Sequence, residues 1–429
     1  MVLEVDIQGM QAVIIAAGES SRFWPLNNKQ HKSQIKIAGR SLVYWTVKSI
    51  SEKGIKDIVL VISPNSLLKD ELLSMVEDLG VKLSFVIQES PQGTGNAIFR
   101  AREYIKEPFF VFWPYKFVAG EIIDSILNLV NKTKAETVLT GVKTNTPWEY
   151  GILRMENNRA VEIVENPERE KEPSNIKVLG AYFLQPDFFD YYQKIKKHHP
   201  EDFIDALNLY IKEKTTGVII LEKDMPSLKY PWELLEILRI KSKDFENYIS
   251  PNAQMGENVV VNGNVFIGDN VIIGDNTVIN GPCFIGDNCK IGASNVFRGP
   301  VNLEKDVLTG SFTEIKDCLV QEGTHFHSGY FGDSVVGKNC RFGAGFITAN
   351  RRIDRQNIKS LVKGKKIDTG LTYFGMVVGD NSRFGIHSGS MPGVLIGSGC
   401  VIGPGTLVSE NIEDNTTYFT ELKGVKKSI

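Results

Sequence analysis

His325 and His327 stand two residues apart in Glu322-Gly323-Thr324-His325-Phe326-His327-Ser328-Gly329-Tyr330. Imidazole is the natural general base near neutral pH, because its unperturbed pKa is about 6.5. The bland alternative is a structural surface histidine. Alternate residues of a strand share a face, so the pair could also begin a metal site. No further His, Cys or carboxylate stands at a completing spacing, and no metal is assigned. Upstream, Arg298 and Lys316 are separated by three lengths of a six-residue repeat. In a coil built of three such repeats these residues stack on one face, about 4.8 Å apart. Stacked cations repel unless an anion lies between them, which points to a phosphate or carboxylate ligand. The competing reading has Glu304, Asp306 or Glu314 neutralise them.

A second candidate lies near the start, in Ala16-Ala17-Gly18-Glu19-Ser20-Ser21-Arg22-Phe23-Trp24-Pro25-Leu26. In an open parallel sheet, ligands bind beyond the carboxyl ends of the strands. A glycine there lets backbone N–H groups approach phosphate oxygens. No GK[ST] follows, so this is not a Walker loop. Alone, the glycine signals no more than a turn.

Two kinds of element must position these groups. From Met255 to Phe297 an apolar residue recurs every six positions: Met255, Val261, Ile267, Ile273, Ile279, Ile285, Ile291, Phe297. The register resumes at Val378, Phe384, Ile396, Ile402 and Val408. This period predicts a hexapeptide β-helix, a rod of stacked coils that often carries an acyl-transfer site on its surface. Before about Arg239 the grammar differs. Ala12–Ala16, Asp57–Ile62, Leu83–Ile87, Phe109–Trp113 and Glu136–Val142 read as buried strands, with helical stretches such as Leu42–Lys53 and Leu67–Leu79 between them. That alternation predicts an α/β domain with a mainly parallel sheet covered on both faces. Tyr150–Val164 reads as a hairpin. The charged segment Lys241–Glu246 places the boundary, giving domains 1–245 and 246–429.

The chain has 429 residues, too many for one core. Lys and Arg total 49 against 51 Asp and Glu, which argues against a broad nucleic-acid or anionic-membrane surface. No apolar run approaches the ~20 residues of a membrane helix. MVLEVDIQGMQ lacks the features of a signal peptide. The five cysteines, Cys283, Cys289, Cys318, Cys340 and Cys400, are odd in number and show no CxxC spacing. They read as reduced thiols, with a cytoplasmic address.

The first half resembles the sugar-1-phosphate nucleotidylyltransferases. AAGESSRFWPLN followed by His31-Lys32-Ser33-Gln34-Ile35-Lys36-Ile37 is similar to that family's AAGxGTRxxPLT and PKxLxPI. Gln88, Gln92-Gly93-Thr94-Gly95-Asn96-Ala97, Tyr150-Gly151 and Glu165-Asn166-Pro167 match its later motifs. The resemblance covers residues 11–238 and implies a Rossmann-like domain. Ala17, Gly18, Arg22, Lys32, Gln88, Gly93 and Thr94 would then contact nucleotide, and Gly151 and Glu165 the sugar. The family's Mg²⁺ needs carboxylates, yet Tyr115 and Ser227 stand where its two aspartates belong. Ser20 replaces its glycine and Asn166 its lysine. Asp224 is the candidate substitute ligand, and Mg²⁺ is expected only if this site is active.

Residues 250–410 resemble the acetyltransferase domain of the bifunctional glucosamine-1-phosphate acetyltransferase/N-acetylglucosamine-1-phosphate uridylyltransferases, archaeal ones especially. The carriers are Phe297-Arg298-Gly299-Pro300, Glu314-Ile315-Lys316, His327 to Ser334, Arg341 to Asn350, and Ser388 to Gly393. The resemblance implies a left-handed parallel β-helix and a homotrimer. It implies His327 as general base and Arg298 and Lys316 on the sugar phosphate. Tyr330 and Asn350 would contact the sugar, and Ser388 and Gly389 would border acetyl-CoA, the cosubstrate. Arg341, Phe346 and Gln356 depart from the family's Asn, Thr and Lys. Arg341 stands among the substrate-binding positions, and the departures alter sugar choice or signal decay.

Three functions are open at this point. One is an acetyl-CoA-dependent acetyltransferase acting on a hexosamine 1-phosphate in UDP-sugar biosynthesis, with nucleotidylyl transfer weak or lost. The second is a fully bifunctional enzyme that also uses UTP. The third is a non-catalytic regulatory or scaffold subunit that binds a sugar nucleotide or an active paralogue.

Overall fold

The computed structural model describes residues 7, 9–18, 20–27, 31–64, 66–157, 159–421 and 424. Glu19 of the glycine loop lies outside them. The chain packs as two compact units, residues 1–19 with 40–225 and residues 20–39 with 226–429. The change of sequence grammar near 245 and this division by packing do not coincide. Of the described residues, 20–27 and 31–39 and the helix Glu233–Lys241 are grouped with the repeat unit.

In the first unit, a sheet runs in the order Thr216–Leu221, Thr137–Lys143, Ile176–Leu184, Phe109–Phe112, Gln11–Ala16, Asp57–Ile62, Lys82–Ile87. Its strands pair in parallel except Ile176–Leu184, which runs antiparallel to both neighbours. Strand alternation explains the continuous apolar run Gln11–Ala16. Ala12, Ile14 and Ala16 enter one core, and Val13 and Ile15 the other. Helix Ala119–Thr133 covers the first core with Ile122, Ile123, Ile126 and Val130. The hairpin forms from Gly151–Glu156 and Arg159–Glu165, pairing Gly151 with Glu165.

In the second unit the six-residue period becomes coils. Val265-Phe266-Ile267 pairs in parallel with Cys283-Phe284-Ile285, and that strand with Val301-Asn302-Leu303. Ile273 stacks on Ile291, and Ile279 on Phe297. These inward residues form one continuous core with Phe326, Phe342, Phe384 and Ile402. Each buried aliphatic or aromatic side chain contributes roughly 1.5–3 kcal/mol. Where a glycine follows the apolar residue, its smallness is required sterically. A Cβ on Gly274 would stand 2.6 Å from the backbone N of Ala293 in the next coil. Asn258, Asn270, Asn276 and Asn288 take the left-handed conformation at corners, with φ of 57–60°, which Asn tolerates better than most residues.

All five cysteines are unpaired and buried in this core. Burial pushes the thiols of Cys283, Cys289 and Cys340 up to about 12, and raises those of Cys318 and Cys400. Thiolate is the reactive form. None should therefore react with an aromatic disulfide reagent at pH 8 in the native protein, and all five should react after unfolding. Stoichiometric labelling of the folded protein would contradict this core.

Candidate functional site

Around His327 the coil tightens. Val296 pairs with Glu314 one full coil on, whereas Glu314 pairs with Tyr330, two residues short of that step. His325–Phe326 is the whole strand there. His327 therefore falls on the corner beyond it, and the strand alternation that would join it to His325 ends before it. Among the described residues no group of three or more His, Cys, Asp or Glu could hold a metal. His327 is exposed. Its backbone N–H donates to the Phe342 carbonyl at 3.0 Å.

Arg298 and Lys316 do stack in register. Each has its own carboxylate, however, which corrects the argument that the pair needs an outside anion. Arg298 ion-pairs with Glu314, and Lys316 makes two contacts to Asp333, at 2.8 and 3.0 Å. Asp333 is a buried hub. It also accepts from the amide of Asn350, which in turn donates to the Tyr330 hydroxyl at 3.0 Å. Arg239, from helix Glu233–Lys241, reaches Asp317 at 2.7 Å and Asp333 at 3.8 Å. Gly332 makes the array possible, since a Cβ there would stand 2.5 Å from the Tyr330 hydroxyl and 2.6 Å from the Asn350 amide. Lys316 also lies 4.6 Å from the centroid of the Tyr373 ring.

The expected residues Arg298, Lys316 and Tyr330 are thus gathered on neighbouring strands, with Asn350 just past the end of strand Phe346–Thr348. Arg341 is exposed on a different ladder, between His325 and Arg383. Ser388 and Gly389 are both buried. The Ser388 hydroxyl donates inward to the Gly385 carbonyl at 2.8 Å. The exposed residues of that corner are Ile386 and His387. Phe346 is fully buried and stacks 5.3 Å from Phe331, so this departure repacks the core and touches no surface ligand. Sequence reasoning missed Asp333 as the hub, although Gly332-Asp333-Ser334 lay inside a quoted motif. It missed Arg239 entirely, because nothing in the sequence ties that helix to Asp317, a long way down the chain.

The residues expected to bind nucleotide, and Gly151 and Glu165 expected on the sugar, fall in both units. Ala17, Gly18, Gln88, Gly93, Thr94, Gly151 and Glu165 belong to the first, Arg22 and Lys32 to the second. In the first unit, Gln88 is buried and its amide donates to the Gly93 carbonyl at 3.0 Å and to Asn96 at 3.1 Å. A Cβ on Gly93 would stand 2.3 Å from the Pro200 carbonyl. Gly18 is exposed and uncrowded. Glu165 lies against Gly151, and burial raises its carboxyl, with Glu201 adding to the shift. Tyr115 is buried, with the Lys116 ammonium 5.7 Å from its ring centroid. Asp224, the substitute metal ligand considered above, ion-pairs with Lys177 at 2.5 Å. In the second unit, the Ser227 hydroxyl donates to Glu233 at 3.2 Å. The same carboxylate accepts from the backbone of Lys229 and Tyr230. Lys32 donates to the Leu228 carbonyl at 2.8 Å, and burial lowers its ammonium to about 8 despite Glu233. Arg22 is exposed.

Comparison with known proteins agrees with this architecture. A family model for nucleotidyl transferase matches residues 11–233, and one for the hexapeptide repeat of succinyl-transferase matches 264–297 and 375–410. The "Bifunctional protein GlmU" of Methanococcus maripaludis is 34% identical, covering 96% of this chain and 97% of its own length. That of Methanocaldococcus jannaschii is 32% identical with the same coverage. The "Bifunctional sugar-1-phosphate nucleotidylyltransferase/acetyltransferase" of Sulfurisphaera tokodaii is 30% identical, covering 94% and 98%. A Rossmann-like nucleotidyltransferase domain followed by a left-handed hexapeptide β-helix defines a transferase of two parts. The chain belongs to the bifunctional sugar-1-phosphate nucleotidylyltransferase/acetyltransferase family.

Proposed function

We propose that the protein transfers acetyl from acetyl-CoA to the amine of a hexosamine 1-phosphate, in the cytoplasm and as a homotrimer. The observation that carries this reading is the preformed array Lys316–Asp333–Asn350–Tyr330, on the coil whose corner presents His327. The bifunctional names of its relatives support it. Hydrogen-bonded partners hold each side chain before substrate arrives, which lowers the entropic barrier of positioning. The free amine attacks the thioester carbon. As the N–C bond forms and the C–S bond breaks, His327 takes the amine proton and returns it to the departing thiolate. Exposed Ile347 and Leu407, both paired in register with Gly389, form an apolar strip that favours symmetric closure with further copies.

The first unit, on this reading, binds nucleotide weakly or serves as scaffold. Mg²⁺ wants hard anionic oxygens. In this unit Tyr115 is buried and Asp224 is engaged by Lys177; Ser227 belongs to the second unit, where Glu233 engages it. A buried tyrosine and a lysine-paired aspartate do not fit the ion. The test is an assay of the purified protein with acetyl-CoA and glucosamine 1-phosphate, then separately with UTP, Mg²⁺ and N-acetylglucosamine 1-phosphate. Acetyl transfer without pyrophosphate release is the expected result. Failure of the first reaction with every hexosamine phosphate overturns the acetyltransferase. Pyrophosphate release at ordinary enzymatic turnover restores the bifunctional alternative.

A further inference from the structure

The coil face beside the His327 corner carries an outward ladder in strict register: Lys290, Leu308, His325, Arg341, Arg383, Val401. Arg341 and Arg383 pair directly across neighbouring strands and are exposed. Neither guanidinium has an ion pair or hydrogen bond among the described residues. Arg298 and Lys316 differ, because each of them has a carboxylate. The ladder offers none, since its next positions are His325 below and Val401 above. His325 is half-buried, and its imidazole is held below its ordinary pKa by burial and then by the Arg341 charge. It therefore stays a neutral hydrogen-bonding group rather than a third repelling cation. A groove whose lining includes Gln254, Ile272, Lys290, Leu308 and His325, and also the carboxylate residue Asp306, lies on this face; its last ladder residue, His325, is the one that pairs with Arg341.

Two planar forks about 4.8 Å apart, one per rung, repel each other and match two linked phosphates better than one. Each can take an adjacent phosphate of a diphosphate through paired N–H donors, and the open groove leaves room for the rest of the ligand. We propose that Arg341 and Arg383 form a binding site for a diphosphate ester, with His325 as a hydrogen-bonding neighbour. The inference concerns binding at this face and holds whether or not the acetyl-transfer reading does. Two classes of molecule supply the chemistry, a coenzyme A thioester and a nucleoside-diphosphate sugar.

The experiment is calorimetric titration of the full-length protein with inorganic pyrophosphate, for wild type, Arg341→Gln, Arg383→Gln and the double variant. Both residues are exposed, so folding should be unaffected. Each single change should weaken the arginine-dependent component by about tenfold, the scale for charged hydrogen bonds, and orthophosphate should bind more weakly than pyrophosphate. Competition identifies the source. Displacement by CoA and dephospho-CoA alike, lost in the double variant, assigns the site to the acyl donor, and displacement by UDP-N-acetylglucosamine alone assigns it to the nucleotide sugar. Identical pyrophosphate binding by wild type and double variant overturns the proposal. So does an absence of binding by wild type. A sedimentation shift in the double variant with pyrophosphate binding unchanged also overturns it, because a carboxylate of a second copy would then be the partner of the arginines.

Discussion

His327→Ala should lower acetyl transfer by ~10²–10⁴-fold, the range that general bases contribute, with the fold and sedimentation of the protein unchanged. The expectation rests on what the side chain does and does not hold. It sits beyond the end of strand His325–Phe326, is exposed, and makes no hydrogen bond among the described residues. The backbone of the residue carries the structure, through its N–H to Phe342 and its carbonyl close against Gly310. Alanine keeps both. The loss should therefore appear in kcat, with KM nearly constant, because the base acts in the transition state. Tyr330→Phe and Asn350→Ala should show smaller losses, weighted towards KM. Full activity in His327→Ala would move the base elsewhere. His325, two residues away, is the nearest candidate.

The second large effect is expected at Asp333. Its buried carboxylate accepts from Lys316 and Asn350 and faces Arg239. Asp333→Ala leaves partly buried cations without their anion, and breaking such a pair typically costs about 3–5 kcal/mol. Lys316 and Arg239 retain some solvent contact, so the lower end of that range is expected here. Residue 333 also adopts a positive φ of 48°, which alanine tolerates less well than aspartate. Asp333→Asn keeps one acceptor and should lose less. The measurement is the shift in the thermal transition of the repeat unit, paired with the KM for hexosamine phosphate. An unshifted transition would mean that Lys316 and Asn350 find other partners, and the array would not be preformed.

The repeat unit was legible because its physics is periodic. One apolar residue in six, with a small residue after it, can be satisfied by stacked coils, and Ile267, Ile285 and Leu303 stack as that period requires. The strands of the first unit were legible from uninterrupted apolar runs. Their ends moved by a residue or two, as at Phe112 in place of Trp113. The packing of residues 20–39 was not legible. It depends on paired hydrogen bonds between the Lys36 backbone and the Gln321 amide, 3.1 and 2.9 Å, and on Ala38 with Asn302. Nothing local in the sequence marks partners so distant along the chain. The stacked arginines escaped for a related reason. Between Arg341 and Arg383 a segment containing the hairpin Lys359–Asp368 is looped out, so the two pair across more than two coil lengths of chain. A search at the fixed coil period cannot find that match.

Coils of three hexapeptides make length a quantised variable in the lower rod. Every coil between Gln254 and Leu303 presents the same seams to the one above and the one below. Removing or adding one whole coil there would preserve every inward contact and translate everything above it by a single strand spacing of about 4.8 Å. A change of any other length would break this register unless the extra residues looped out, as those between Arg341 and Arg383 do. The tightened coil at Tyr330 has no such interchangeable neighbour, because its shortened step sets the phase of the corner that carries His327. The rod therefore divides into a stretch whose extent evolution or an engineer can vary in whole steps, and one rung that fixes the angular origin from which the chemistry is laid out.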